Sequence, residues 1–177
     1  QIIHLATHAD VDEENPLNSR IYLGSGHSKE SEDGILHQYE LFNLRLDNDL
    51  TVLSACQTGD GPWMEGEGIN SLARGFIYAG SKSIVLSNWE VHDQTSSKLM
   101  QFFFENLDAG MGKSEALRSA KMQYLQEADA YTANPFYWAG FVLVGDQQPI
   151  DIAGDEWDNW WLPIVIIASL ILIVGAW

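Results

Sequence analysis

The stretch Thr51 to Gly61, T-V-L-S-A-C-Q-T-G-D-G, constrains this chain more than any other. Thr51, Val52 and Leu53 are the β-branched and aliphatic residues of a short buried strand. Small residues follow, then Cys56, then a turn carrying Gly59 and Gly61. A strand that empties into a glycine turn sets its last side chains at the carboxyl edge of a sheet, where open α/β sheets bind ligands. The thiol then has two readings. It is a small buried hydrophobe, or it is a nucleophile if the fold brings a base beside it.

A second apolar run, Q-I-I-H-L-A-T-H at Gln1 to His8, has the composition of a central strand and ends on a histidine. Standing alone, His8 reads as a structural histidine. Set parallel beside the Thr51 strand, the same run delivers His8 next to Cys56, the arrangement that thiol catalysis needs. Gly66 to Gly80 predicts a helix, with Ile69, Leu72, Ala73, Phe76 and Ile77 on one face and Gly80 as its stop. Its start follows the thiol loop, where a helix N-terminus favours a thiolate. Glu65 and Glu67 read as solvated helix-start acids.

Ser83 to Ser87 (S-I-V-L-S) predicts the next strand, Gln94 to Leu107 and Ser114 to Ala130 two more helices, and Phe141 to Val144 (F-V-L-V) a last strand. Met100, Phe103, Phe104 and Leu107 line one helix; Ala116, Leu117, Ala120 and Tyr124 line the other. The polar region Ala9 to Glu40 interrupts this pattern. In it, R-I-Y-L-G at 20–24 predicts a short edge strand or hairpin arm, and His27 and His37 are expected to be solvated. Gln38 to Leu44 predicts a short helix. The order strand, loop, strand, helix, strand, helix, helix, strand argues for an α/β sheet with right-handed crossovers.

Net charge and cysteine usage exclude several functions. A formal charge of −16 leaves no clustered Lys and Arg for nucleic acid, nor for docking on an anionic membrane by charge. One cysteine cannot build an internal disulfide framework, and it fits a reducing compartment. No zinc-type Cys/His spacing is present, so no metal or other cofactor is expected.

The carboxyl-terminal tail differs from the rest. An acidic linker at 146–159 leads into Trp160 to Trp177, W-W-L-P-I-V-I-I-A-S-L-I-L-I-V-G-A-W, which carries no charge. As a helix it measures roughly 27 Å, close to the hydrocarbon thickness of a bilayer. Pro163 falls in the first turn, where proline is tolerated, and tryptophans stand at both ends. The expectation is a single-pass transmembrane helix; the competing reading is a buried apolar helix. No Lys or Arg flanks it to set orientation, but a reduced catalytic thiol places the globular part on the cytoplasmic side.

Several motifs occur together in order: H-L-A-T-H-A-D-V-D-E-E-N-P-L-N-S, L-S-A-C-Q-T-G, G-E-G-I-N-S-L-A-R-G-F-I-Y-A-G-S-K-S-I-V-L-S-N-W-E-V-H-D and N-P-F-Y-W-A-G-F-V-L-V-G. Together they resemble the CHAT domain, the caspase-like and separase-like cysteine peptidase family often found behind TPR repeats, over roughly Ile2 to Gly145. The resemblance implies a caspase-like three-layer sandwich with a mostly parallel central sheet in residues 1–145. The chain starts inside a strand without a methionine, so further strands and helices, and TPR repeats, are expected upstream.

The resemblance also implies roles. His8 and Cys56 become a catalytic dyad that cleaves a protein substrate, in regulated signalling or defence. The backbone N–H groups of Ala9 and Cys56 become an oxyanion hole. Many caspase-like enzymes have glycine after the histidine; Ala9 keeps the N–H, provided that its backbone is in an ordinary region. N-W-E-V-H-D resembles the separase-like L-W-x-V-x-D segment, which assigns Asp93, with Glu90 second, to recognition of a basic side chain just before the cut. Asp93 equally reads as the N-cap of the helix at Gln94. The alternative to an enzyme is a catalytically silent scaffold tethered to the membrane.

Overall fold

A computed structural model describes residues 2–12, 14–24, 33–54, 67–89 and 91–151 of the 177-residue chain. In order its elements are β1 (Ile2–Leu5), β2 (Ala9–Asp10), β3 (Arg20–Tyr22), β4 (Ile35–His37), α1 (Gln38–Leu41), β5 (Leu50–Leu53), α2 (Glu67–Tyr78), β6 (Ser83–Ser87), α3 (Asp93–Asp108), α4 (Lys113–Glu127), α5 (Pro135–Trp138) and β7 (Phe141–Gly145). Cys56, Glu90, His27 and the tail at 160–177 lie outside the described residues.

Four strands make the central sheet, in the order β1-β5-β6-β7. β1 pairs parallel with β5, and β5 with β6, while β7 closes antiparallel on β6. The mixed α/β architecture with a mostly parallel sheet agrees with the order of elements in the sequence. The one antiparallel pair follows from the connection. Between β6 and β7 the chain makes two long helices, out and back, and so re-enters the sheet from the edge it left.

Every residue of β5 and β6 is buried, as expected for strands covered on both faces. Alternation then divides the core. Leu50, Val52 and Val85 pack with Leu99, Met100, Phe103 and Leu107 of α3 and with Ala116, Leu117 and Ala120 of α4. Leu53, Ile84 and Leu86 pack on the other side with Leu41 of α1, Leu72, Ala73 and Phe76 of α2, and Ile21. Ile77, expected on that inner stripe, is exposed on the outer side of α2 beside Tyr78. The stop of α2 is as expected. Gly80 has φ +108°, and a Cβ there would fall 2.0 Å from the carbonyl oxygen of Leu46, so only glycine fits.

The polar region after β1 is more structured than its composition implies. β1 ends at Leu5 rather than His8, because the chain crosses there into a second, antiparallel sheet of order β2-β3-β4. The R-I-Y-L-G strand is the middle of that sheet, not an edge, and Ile21 is its fully buried anchor. The N-P-F-Y-W segment, too short to show a period, forms α5, capped by the Asn134 side chain accepting from Phe136 N–H. The start of the acidic linker is docked. Asp146 meets Lys113 at 2.9 Å, and Ile150 joins the core. Among the described residues no helix is long and apolar enough to cross a membrane.

Candidate active site

The carboxyl ends of β1, β5 and β6 lie side by side, with β5 in the middle. Their last registered positions are Leu5, Leu53 and Leu86, paired Leu5 with Leu53 and Leu53 with Leu86. One further rung, Ser54 N–H to the Leu5 carbonyl at 3.1 Å, holds the start of the thiol segment against β1. Each of the three strands is followed by a segment carrying a candidate residue: His8 after β1, Cys56 after β5, and Glu90 and Asp93 after β6.

His8 is exposed, but its backbone is fixed. Its carbonyl accepts from Tyr22 N–H at 2.9 Å, and the neighbouring Thr7 hydroxyl donates to the Tyr22 carbonyl. Ala9 follows in β2, 4% exposed and paired with Ile21, an extended conformation that alanine adopts without strain. Hydrogen-bonded and non-bonded pairs alternate along an antiparallel ladder. Since Tyr22 bonds to His8, the Ala9–Ile21 pair is the non-bonded kind, and the Ala9 N–H points away from β3. The strand that carries it is the outer strand of its sheet.

The segment after β6 is clamped by the turn before β7. The Ser87 hydroxyl donates to the Trp89 carbonyl at 2.6 Å, and Asn88 N–H to the Gly140 carbonyl at 3.0 Å. The Trp89 indole N–H donates to the Phe136 carbonyl at 2.7 Å while the two rings stack. Gly140 lies so close that a Cβ would fall 2.8 Å from the Ser87 hydroxyl and 2.9 Å from the Trp89 ring. Two motifs far apart in sequence, N-W-E-V-H-D and N-P-F-Y-W-A-G, are thus one packed unit. It delivers Asp93 to the first turn of α3, exposed. The N-cap of α3 is His92, whose carbonyl accepts from Ser96 N–H at 3.0 Å, so Asp93 sits one position inside the cap.

His4, which the spacing of sequence motifs did not single out, also belongs to this edge. Its Nε2 lies 3.0 Å from the Ser54 hydroxyl, and its ring is 5.4 Å from that of Phe104. Partial burial holds its pKa below the usual imidazole value. The only hint in the sequence is a histidine inside an otherwise apolar strand.

With this geometry in hand, the comparisons with known proteins are decisive. The CHAT domain family matches residues 1–146. The chain belongs to the CHAT domain family. That family is a caspase-like peptidase family. Tetratricopeptide repeat protein 28 of Mus musculus is 32% identical over 117 residues, and its Homo sapiens counterpart 31% over the same length. In each case the match covers 66% of this chain and 5% of the relative, so the chain spans a small part of the proteins it resembles.

One feature of this CHAT domain lies away from the strand ends just described. An apolar hollow of about 520 Å³, lined by Ala73, Arg74, Ile77, Tyr78 and Val144, lies between the outer side of α2 and β7. Its lining includes none of the candidate residues. Among the described residues there is no group of three or more His, Cys, Asp or Glu able to hold a metal.

Proposed function

We propose that this CHAT domain is a cysteine endopeptidase that cleaves a protein substrate through His8 and Cys56. One observation carries the reading. β1 and β5 run parallel with Leu5 opposite Leu53, and His8 and Cys56 each follow three residues later. Adjacent parallel strands lie about 4.8 Å apart, and chain geometry limits Cys56 to within about 7 Å of Ser54. Both candidate residues therefore belong to one edge of one strand pair.

In the proposed reaction the His8 imidazole takes the thiol proton, and the Cys56 thiolate attacks the scissile carbonyl. The Ala9 N–H, directed away from the β3 ladder, and the Cys56 N–H donate to the tetrahedral oxyanion. Collapse expels the amine, which receives the proton from His8, and water then hydrolyses the thioester. Asp93, with Glu90, pairs with a basic side chain just before the cut, on a segment held by the Trp89–Phe136 clamp. The layering of α3 and α4 against α1 and α2 across the sheet supports a caspase-like three-layer sandwich. The relatives' name supports TPR repeats in the longer protein, while regulated signalling or defence as the setting rests on the family resemblance alone. Trp160 to Trp177 spans a membrane in this proposal, with the peptidase domain cytoplasmic, on the strength of its uncharged sequence.

The test is a peptide ketone bearing Arg or Lys beside the electrophilic carbon. The proposal expects a covalent adduct on Cys56 that forms more slowly in His8→Ala and is absent in Cys56→Ala. No adduct on the wild-type chain identifies a silent scaffold instead. For the tail, recovery of the intact chain in an alkaline-washed soluble fraction would remove the span.

A further inference from the structure

We infer that His4 is a positioning residue, which sets the thiol segment by holding Ser54. Ser54 is the last described residue before Cys56, two positions ahead of it. It is held from two directions. Its N–H closes the last rung to the Leu5 carbonyl at 3.1 Å, and its hydroxyl meets His4 Nε2 at 3.0 Å. His4 pairs in register with Val52, so His4, Val52 and Ser54 share the sheet face covered by α3. On that face the Phe104 ring is centred 5.4 Å from the imidazole and tilted 49° to it.

The arrangement joins the two motifs that carry the proposed dyad. His4 and His8 lie in one segment, Ser54 and Cys56 in the other, and the His4–Ser54 bond ties them together at a sequence separation of 50. His4 is the one exposed residue of β1, and its Nε2 lies within hydrogen-bonding distance of the Ser54 hydroxyl. Desolvation lowers its pKa from the usual imidazole value, which favours the neutral ring. Ser54 is fixed in both backbone and side chain. The chain is thus held two residues before Cys56, and an error of about 1 Å in a reacting group can cost about 100-fold in rate.

This role rests on the His8–Cys56 reading above, and the test separates the two. Cys56 is the only cysteine of the full 177-residue chain, so thiol labelling reports on it alone. Two rates are compared: with the basic peptide ketone, which needs the thiol in place, and with iodoacetamide, which needs only a thiolate. His4→Phe keeps a ring against Phe104 but loses the bond; Ser54→Ala loses it from the other side; His4→Gln keeps a polar partner. The expected result is a peptide-ketone rate lowered about fivefold in His4→Phe and in Ser54→Ala, the size of one lost hydrogen bond. The double variant falls no further than either single, His4→Gln recovers most of the rate, and iodoacetamide is unaffected. Unchanged ketone rates, or equal losses with both reagents alongside a lowered melting temperature, overturn the positioning role. A wild-type rate indifferent to His8→Ala removes the dyad, and the positioning role with it, and is recognisable as a separate pattern.

Discussion

The two edges of the central sheet are built from similar polar residues and use them in opposite ways. At the amino edge most polar groups bond to one another, the buried Asn48 Oδ1 being an exception. Lys113, 1% exposed, donates to the Asp49 carbonyl at 3.1 Å and to Asp146 at 2.9 Å. Asn48, Thr51 and Ser81 form a buried cluster with contacts of 2.9–3.2 Å. Gly145 turns so tightly there, at φ +99°, that a Cβ would fall 2.4 Å from the Lys82 carbonyl oxygen. At the carboxyl edge the backbone is held as firmly, through Tyr22, Ser54 and the Trp89–Gly140 clamp, but His8 and Asp93 are exposed. One edge closes the fold, and the other presents side chains on a fixed frame, as the ligand-binding rule for parallel sheets requires.

That contrast can be broken by substitution. At the carboxyl edge, Cys56→Ala is expected to abolish peptide cleavage, a loss on the order of 10⁴-fold or more, with the urea midpoint unchanged. A lowered midpoint would show that the thiol serves packing. At the amino edge, Gly80→Ala is expected to do the reverse. Its strained φ and the overlap with Leu46 should cost about 3 kcal/mol or more in urea denaturation, without altering the ketone reactivity of the fraction that remains folded.

Smaller effects sharpen the comparison. Asp93→Asn is expected to leave stability unchanged and to cut the preference for a basic over a neutral residue before the cut by about tenfold, the loss of one charge-assisted bond. An unchanged preference would confine Asp93 to the first turn of α3. The Lys113–Asp146 pair gives the last comparison, between its two single substitutions. Asp146→Ala, which leaves a buried ammonium with a carbonyl alone, should lower the urea midpoint more than Lys113→Met, which removes the buried charge. The hydrogen bond from Lys113 holds the Asp146 pKa below the usual carboxylate value. Its contribution is therefore complete above the unfolded value near 3.9 and is lost as pH falls through the lower folded value. Wild type and Asp146→Ala should converge in stability at the acid end of a pH series.

Legibility in the sequence follows the same physics. β5, β6, α3 and α4 are readable because long apolar runs and helical stripes are driven by burial on the sheet. Gly80 is readable because its backbone admits no other residue. The small sheet is not, since β2 and β4 are two and three residues long and owe their form to pairing with β3. Ile77 misleads because the apolar face of α2 is wider than the surface it covers. The strand ends supplied His8 and Cys56 as candidates, and the resemblance gave them roles and added Asp93. It could not supply the His4–Ser54 bond or the Trp89–Gly140 contact, whose partners lie some 50 residues apart and declare no spacing.

The central claim is that the carboxyl edge pairs His8 with Cys56. It is tested most directly by the pH dependence of iodoacetamide alkylation, followed on the single thiol in wild type and in His8→Ala. The account predicts that the wild-type thiol reacts as a thiolate well below the ordinary thiol pKa of about 8.5, and that His8→Ala moves the curve up toward that value. Two coincident curves, both centred on the ordinary thiol value, would contradict it.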